Sequence, residues 1–184
     1  MTEEMIIAGF GGQGVLSMGK ILAYSGVMQG QEVSWFPSYG PEMRGGTANV
    51  TVILSDNRIS SPVLHEYDTA IILNQQSMDK FESAVKPGGT LIYDPNGIVH
   101  QPTRKDINIY RIRGAQLSID MGNPKTFNMV ILGGYLKVKP IVKMENVQKG
   151  LEKSLPERHH RLIPLNLEAI QKGFENLEVV SEVN

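Results

Sequence analysis

The stretch that decides the fold is Met5-Ile6-Ile7-Ala8-Gly9-Phe10-Gly11-Gly12-Gln13-Gly14. Its first four residues form a short apolar run that ends in glycine, which is typical of a buried strand followed by a tight turn. Residues 15–29 lack proline and are apolar on several faces, so we expect a helix that stops at Gly30. A strand, a glycine-rich loop and a helix in this order indicate the start of an open α/β sheet.

Apolar runs with strand or helix periodicity continue along the chain. We expect further strands at residues 32–36 (closed by Pro37), 47–54, 68–73, 90–93 and, at the sheet edge, 107–112, with a short hairpin strand at 59–61. We expect further helices at residues 75–85 and 126–138, and a last helix that is capped by Asn166 and ends near Gly173 or Asn176. This alternation predicts a mixed, mainly parallel sheet that is covered by helices.

Length and charge narrow the class of protein. The 184 residues fit one domain that is long enough for a substantial core. Lys and Arg number 18 against 19 Asp and Glu, so no basic excess points to nucleic acid. The acidic start lacks the features of a signal peptide, and no apolar run is long enough to span a membrane. We therefore expect a soluble, cytoplasmic protein.

The chain has no cysteine, and this excludes several kinds of chemistry within it. Disulfides, thiolate nucleophiles, thiolate zinc sites and thiolate-bound iron–sulfur clusters all need that residue. The four histidines show no metal-ligand spacing with nearby acids, and the pair His159-His160 fits a solvated face. We expect no metal in this chain, so any redox metal must belong to another one.

The first glycine-rich loop matches two phosphate-binding patterns incompletely. Its glycines fit the dinucleotide fingerprint, but no carboxylate ends the second predicted strand, where a ribose hydroxyl would need one. Residues 14–20 have the spacing of a phosphate loop, but Ile21 stands where magnesium needs serine or threonine, and Lys20 fits a helix surface. Two interpretations stay open: close packing of strand and helix, or contact with a ligand or a neighbouring chain.

A second glycine-rich segment, Ser38-Tyr39-Gly40-Pro41-Glu42-Met43-Arg44-Gly45-Gly46, follows the second predicted strand. One interpretation is a surface ion pair between Glu42 and Arg44, which would contribute little energy. Exposed glycine amides beside a guanidinium suit a phosphate, a carboxylate or a partner's acidic residue, so we favour a binding or interface role. Loops that leave strand ends line one crevice in an open α/β sheet, so the two loops should meet at one site.

The two loops together resemble those of the gamma subunit of 2-oxoacid:ferredoxin oxidoreductases. The resemblance covers nearly the whole chain and includes Asp68 ahead of a central strand and Asn128 with Gly133 in a late helix. It implies a Rossmann-like three-layer fold and a single gamma-type domain, of the pyruvate/ketoisovalerate oxidoreductase catalytic type, over residues 1–184.

The resemblance also implies a function. Complexes of this family oxidatively decarboxylate a 2-oxoacid with CoA to an acyl-CoA and CO2, and pass electrons to ferredoxin. The chain would assemble with alpha and beta subunits, often with a ferredoxin-like delta subunit, and would be inactive alone. Thiamine diphosphate, Mg²⁺ and iron–sulfur clusters would be held by the other subunits, while this chain shapes the active site and the assembly. Overall appearance favours 2-oxoglutarate as the substrate, and pyruvate, branched-chain and aryl substrates stay open.

The resemblance implies contact residues but identifies no catalytic one. The ligand or subunit contacts would be Gly11, Gly12, Gln13 and Gly14 in the first loop and Tyr39, Glu42, Arg44, Gly45 and Gly46 in the second. Arg44 is the preferred contact for an anionic group such as those of CoA. Two alternatives remain: the small subunit of indolepyruvate:ferredoxin oxidoreductase, and a stand-alone nucleotide-binding module. The wide apolar surface of the helix at residues 15–29 also leaves open whether it is buried within the domain or against another subunit.

Overall fold

One seven-stranded sheet organises the part of the chain that the computed structural model describes, residues 1–38 and 46–183. The strands are β1 (Thr2–Phe10), β2 (Glu32–Ser38), β3 (Thr47–Ser55), β4 (Tyr67–Ile72), β5 (Val85–Tyr93), β6 (Asn108–Arg111) and β7 (Glu178–Ser181). The helices are α1 (Val15–Met28), α2 (Gln75–Phe81), α3 (Gly114–Asp120), α4 (Phe127–Val138), α5 (Met144–Ser154) and α6 (Ile163–Glu175).

The sheet is mixed. Its strand order is β2-β3-β1-β4-β5-β6-β7, in which β1, β4, β5 and β6 are parallel neighbours. β3 runs antiparallel to both β1 and β2, and β7 runs antiparallel to β6. Five of the seven strands therefore point the same way. This confirms the predicted mixed, mainly parallel sheet.

Helices cover both faces of this sheet. Met5 and Ile7 of β1 point to one face and pack in a core shared with α1, α4, α5 and α6. Ile6 and Ala8 point to the other face and pack in a second core shared with α2. Because successive side chains of a strand face opposite sides, one strand contributes to both cores. The result is the three-layer, Rossmann-like arrangement that the resemblance implies.

The first helix, α1, lies between the sheet and a second layer of helix. On the sheet side, a Cβ added to Gly19 would be 2.7 Å from Val50 Cγ1 of β3. On the opposite side, Gly150 of α5 lies so close that an added Cβ would be 2.9 Å from Ile21 O and would collide with Ser25 Oγ. The wide apolar surface of α1 is thus explained by burial within the chain.

Three predictions about the sheet are wrong. Residues 59–61 are not a strand, and they run over the surface between β3 and β4. The strand at residues 108–111 is not at the edge, because β7 pairs with it on the outer side. The second predicted strand does not stop at Pro37 either: β2 continues to Ser38. Proline is tolerated there because β2 is an edge strand, where one side of the backbone needs no partner.

The boundaries around the second helix also differ from the prediction. α2 ends at Phe81 and is followed by a short 3-10 turn, and β5 begins at Val85. Residues 86–89, which precede the predicted strand at 90–93, belong to an irregular part of β5: its residue 85 pairs with residue 67 of β4, and its residue 90 pairs with residue 69. Gly88 adopts φ 77°, which glycine allows without strain.

The last helix begins earlier than predicted. α6 starts at Ile163 with Pro164 in its first turn, and Asn166 lies inside the helix rather than capping it. Proline suits this position because the first helical N–H groups have no partner within the helix. The helices α3 and α5 and the strand β7 were not predicted.

Candidate functional site

The carboxyl ends of the parallel strands form the edge of the sheet where a ligand is expected. After β1 the chain continues to β2 and β3 on one side, and β4, β5 and β6 then follow on the other side. The space between β1 and β4 is therefore a topological switch point, and open α/β sheets bind ligands outside the carboxyl ends of strands at such points. The first loop leaves β1 at this place.

Within the first loop, glycine backbone conformations and one side-chain amide define the shape. Gly12 and Gly14 adopt φ values of 93° and 75°. The Phe10 N–H donates to Gln13 Oε1 over 2.6 Å, and Gln13 Nε2 donates to the Leu73 carbonyl oxygen over 3.3 Å. The Gln13 amide thus ties the loop to the end of β4. Among the described residues, one of its two N–H groups has no hydrogen-bond partner.

Two further contacts explain why glycine stands in this loop. A side chain at Gly9 would collide with Gln13 Oε1. A Cβ at Gly14 would overlap the amide of Asn128, whose Nδ2 donates to the Gly14 carbonyl oxygen over 3.2 Å. Gly12 differs, because none of the described atoms lies within 4 Å of an added Cβ. Close packing therefore accounts for Gly9 and Gly14, and it does not account for Gly12.

The second loop meets the first through Gly46. The Gly11 N–H donates to the Gly46 carbonyl oxygen over 3.1 Å, so these two predicted contact residues are neighbours. The other predicted contacts of this loop, Tyr39, Glu42, Arg44 and Gly45, lie outside the described residues.

A groove, here called the loop groove, opens beside the first loop and the start of α1. Its volume is about 290 Å³ and it is lined by Phe10, Gly11, Gly12, Gly14, Val15, Leu16, Ser17 and Ala48. No side chain of the described residues caps the N-terminus of α1, and its first turn holds no acidic residue. The first N–H groups of a helix attract negative charge, and no carboxylate is among the described residues that line the groove.

A second opening, here called the switch-point cavity, lies on the other side of Gly12. Its volume is about 260 Å³. It is lined by Gly12, Gln13, Leu73, Asp94, Asn96, Gly97, Ala115, Ser118, Ile119, Pro124 and Phe127. These residues follow β1, β4, β5 and β6, so the cavity collects the ends of four parallel strands.

The sequence interpretation missed the acid in this cavity. Asp94 follows β5 and is 2% exposed, and its two carboxylate oxygens accept the N–H groups of Asn96 over 2.8 Å and of Ala115 over 2.9 Å. Burial raises the pKa of Asp94, while the hydrogen bonds from backbone N–H groups work in the opposite direction. The signal available in the sequence was a carboxylate directly after a predicted buried strand.

The dinucleotide interpretation of the first loop finds no support in the topology. That fingerprint belongs to a strand–helix–strand unit in which the two strands are parallel neighbours. Here β3 separates β1 from β2. Lys20, the lysine of the phosphate-loop near-match, is exposed on α1, with its Nζ 6.0 Å from the centre of the Tyr24 ring.

Asp68, the acid named in the resemblance, lies near the amino ends of the parallel strands, on the side of the sheet away from the two loops. Its carboxylate accepts hydrogen bonds from Lys86 Nζ over 2.9 Å and from the Glu4 N–H over 2.9 Å, and Lys86 also pairs with the Glu4 carboxylate over 2.6 Å. This cluster joins the starts of β1, β4 and β5. Two carboxylates share one ammonium group here, so the cluster ties the three strands together at a distance from the loops.

Among residues 1–38 and 46–183, no group of three or more His, Asp or Glu side chains could hold a metal ion. None of the helices in the same residues has both the length and the apolar character needed to cross a membrane.

Comparison with known proteins identifies relatives over nearly the whole chain. The family described as pyruvate ferredoxin/flavodoxin oxidoreductase matches residues 4–176. The chain is 37% identical over 169 residues to ketoisovalerate oxidoreductase subunit VorA of Methanothermobacter marburgensis, and the match covers 92% of the chain and 35% of VorA. The chain thus spans about a third of the length of the VorA relatives.

Other relatives have nearly the same length as the chain. The 2-oxoglutarate synthase subunit KorC of Methanocaldococcus jannaschii is 32% identical over 178 residues, which is 95% of the chain and 94% of KorC. The keto/oxoacid ferredoxin oxidoreductase gamma subunit of Geobacter sulfurreducens PCA has a similar structure, with a TM-score of 0.82, 28% identity and 96% coverage of each chain. The chain therefore belongs to the pyruvate ferredoxin/flavodoxin oxidoreductase family, as a gamma subunit of the 2-oxoacid:ferredoxin oxidoreductase type.

Proposed function

We propose that this chain works as the gamma subunit of a complex that oxidatively decarboxylates a 2-oxoacid. In that reaction CoA takes up the acyl group, CO2 leaves, and the electron pair released passes to ferredoxin. Alpha and beta subunits would accompany the chain, with a ferredoxin-like delta subunit where the complex contains one. The isolated chain would be inactive, and its contribution would be to shape the active site and the assembly.

The observation that carries this proposal is the meeting of the two loops at the carboxyl edge of the sheet. The Gly11–Gly46 hydrogen bond joins them beside the uncapped N-terminus of α1. Gly12 lies in the same place and adopts a φ of 93°. None of the described atoms lies within 4 Å of a Cβ added there, so its backbone can be approached closely. Backbone that can be approached closely suits contact with another subunit or with a ligand.

The charge around the loop groove suggests which part of a ligand would lie there. N–H groups at a helix start favour anions, and so does a guanidinium group, which Arg44 carries two residues before Gly46 in the sequence. CoA carries phosphate groups, so we propose that the groove receives an anionic part of CoA with Arg44 as its charged contact. In an Arg44→Ala complex of normal composition the KM for CoA should rise, and an unchanged KM would exclude this role for Arg44.

The cofactors of such a complex would be bound elsewhere. Iron–sulfur clusters are held by cysteine thiolates, and this chain has no cysteine. We propose that the clusters, thiamine diphosphate and its Mg²⁺ belong to the accompanying subunits. This division of labour makes the gamma subunit a contact surface rather than a redox carrier.

For the substrate we propose 2-oxoglutarate. The supporting observation is the similarity to KorC of Methanocaldococcus jannaschii, a 2-oxoglutarate synthase subunit that is 32% identical to the chain over 178 residues. Ketoisovalerate is the second candidate, because the VorA relative has the higher identity, 37%, although the chain covers 35% of it.

Capture of the chain from its own cells tests this proposal. A tagged copy should copurify with thiamine-dependent alpha and beta subunits, and the captured complex should reduce ferredoxin when given CoA and one member of a 2-oxoacid panel. 2-Oxoglutarate should be used faster than ketoisovalerate, pyruvate, branched-chain and aryl substrates. Recovery of the chain alone, or a complex without CoA-dependent 2-oxoacid oxidation, would overturn the assignment.

A further inference from the structure

A third cavity, here called the helix groove, lies on the face of the sheet that α1 covers. Its volume is about 390 Å³, against about 290 Å³ for the loop groove. Four helices contribute to its walls: α1 through Ser17, α4 through Asn128, α5 through Leu151 and α6 through Leu165. Ser17 also lines the loop groove, so the two openings are neighbours at the start of α1. The surface that we assign to contact with other subunits therefore continues into the helix groove.

Half of the lining of the helix groove is apolar. The apolar side chains are those of Ile21, Met129, Leu151, Leu155, Leu162 and Leu165. Leu162 is 39% exposed at the groove, although leucine loses free energy in water. Exposed apolar clefts with polar rims mark sites of contact with proteins or ligands. The groove therefore suits large apolar side chains of another polypeptide.

One histidine holds a wall of the groove in place. His160 Nε2 lies 2.9 Å from the Glu152 carbonyl oxygen and 3.0 Å from the Leu155 carbonyl oxygen, at the end of α5. These contacts tie the 3-10 turn Glu157–Leu162 to α5. Leu155 and Leu162, which both line the groove, are thus positioned by bonds within the chain. The groove is formed before a partner binds, and this lowers the cost of binding.

The charge at the groove is positive. Lys125 is the one charged residue of the described lining, and the exposed acids Glu152 and Glu157 do not line it. Lys125 and Arg161, which precedes Leu162, form no ion pair among the described residues. The first turns of α4 and α6 also reach the groove and hold no acidic residue. A carboxylate beside apolar side chains would complement this surface.

We propose that the helix groove docks an acidic amphipathic segment of an accompanying subunit. Large apolar side chains of that segment fill the groove, and an adjacent Asp or Glu pairs with Lys125. The apolar contacts supply most of the affinity, while the ion pair sets the orientation of the segment. This inference rests on the proposed function, because it names the chemistry of the partner that meets the gamma subunit beside the first loop.

Two glutamate variants of the full chain test the site by capture of the complex. Leu162→Glu places a negative charge at the groove, which repels an acidic segment, and should lower the amount of copurified alpha and beta subunits by at least about tenfold. Met144→Glu is the matched control, because Met144 is 42% exposed at the start of α5 and does not line the groove. It should leave the captured amount unchanged. Glutamate is favourable at the start of either helix, so both variants should fold.

Carbodiimide cross-linking of the natural complex tests the charge. The reagent joins an amine to a carboxylate in direct contact, so it should link Lys125 to an Asp or Glu of another subunit that has large apolar residues next to it in sequence. Lys125→Arg keeps the charge without the amine, so this variant should lose the cross-link and keep its partners. A link from Lys125 to a second copy of this chain, or no link, would overturn the proposal.

The capture experiment also separates this proposal from the proposed function. If the natural chain recovers alpha and beta subunits and Leu162→Glu recovers them equally, the groove is not the docking site and the gamma-subunit role stands. If the natural chain recovers no other subunit, both proposals fail.

Discussion

The Gln13 side-chain amide joins the end of β1 to the end of β4, because its Oε1 accepts the Phe10 N–H and its Nε2 donates to Leu73 O over 3.3 Å. These two strands flank the switch point of the sheet. The glutamine of the first loop therefore holds the loop groove and the switch-point cavity in a fixed relation. Its importance for the fold is separate from any contact with a ligand.

Replacing Gln13 by alanine should lower the free energy of unfolding by about 1–3 kcal/mol, since two hydrogen bonds of about 0.5–1.5 kcal/mol each are lost. Urea unfolding of the chain measures this. Gln116→Ala is the matched control, because the Gln116 amide is exposed and its one hydrogen bond among the described residues goes to Asp120, so it should change stability by less than about 0.5 kcal/mol. Equal losses in both variants would contradict the bridging role.

The close crossing of α4 and α6 depends on a pair of glycines. A Cβ at Gly133 would collide with the Ile170 carbonyl oxygen, and a Cβ at Gly173 would collide with the Val130 carbonyl oxygen. Backbone cannot move aside as a flexible side chain can. Gly133→Ala should therefore destabilise the chain by about 1–3 kcal/mol or more through overpacking. The shift of the midpoint of urea unfolding measures this loss of stability.

The neighbouring residue Gly134 supplies the control for that prediction. An alanine Cβ there would lie 3.3 Å from Leu177 Cδ1 and 3.4 Å from Ile112 Cβ, which are side-chain atoms at or near ordinary contact distance. Gly134→Ala should be neutral or stabilising by up to about 1 kcal/mol, because alanine favours the helix. If Gly133→Ala is as well tolerated as Gly134→Ala, the helices are not held at the distance described.

The buried carboxyl of Glu3 should give the chain a pH-dependent stability. Glu3 is 5% exposed, and burial raises its pKa against the lowering effects of a hydrogen bond from Thr69 Oγ1 and of the Lys139 charge. Because the folded state then binds its proton more tightly than the unfolded state, the contribution is present at low pH. It is lost as the pH rises from near 4.5 through the raised pKa.

Glu3→Gln should remove this part of the pH dependence. Unfolding free energies measured from pH 4 to pH 8 should fall less steeply with pH in the variant than in the natural chain. Glu66→Gln, which changes an exposed carboxyl, should leave the slope unchanged. A variant at Glu3 whose curve runs parallel to that of the natural chain would show that this carboxyl has the same pKa in both states.

The local patterns in the sequence predict the parallel core of the sheet well. β1, β4 and β5 are apolar runs next to glycine or turn residues, and α1 and α4 are long apolar helices, so periodicity alone identifies them. The sequence did not predict α5, because Gly150 interrupts its apolar pattern. That glycine is nevertheless what lets α5 approach α1. Local sequence does not explain Gly150, because the helix that it contacts, α1, is distant in sequence.

The missed strand and the missed acid have a similar explanation. β7 has four residues, and its position depends on Glu178, which pairs with Arg111 over 2.6 Å. A short strand held by a long-range ion pair leaves little periodic signal. Asp94 became a cavity residue because α3 brings the Ala115 N–H to its carboxylate, and α3 itself was not predicted. The meeting of the two loops, in contrast, follows from the strand order alone.

If the gamma subunit contacts its partners through the first loop, a large charged side chain there should block the contact. A comparison of Gly12→Arg with Gly30→Arg tests this claim directly. Both glycines have positive φ, 93° and 83°, and no described atom lies within 4 Å of an added Cβ at either. The backbone strain of an arginine should therefore be similar, about 1–2 kcal/mol. Gly12 lies at the carboxyl edge of the sheet, whereas Gly30 follows α1 at the opposite edge.

The measurement is the amount of alpha and beta subunits that copurify with each tagged variant, together with the CoA-dependent 2-oxoacid oxidation of the captured material. We predict that Gly30→Arg retains partners and activity, and that Gly12→Arg, with equal stability, loses at least about tenfold of one or both. If Gly12→Arg captures the same partners and turns over 2-oxoacid at the same rate as Gly30→Arg, the first loop is not the contact surface.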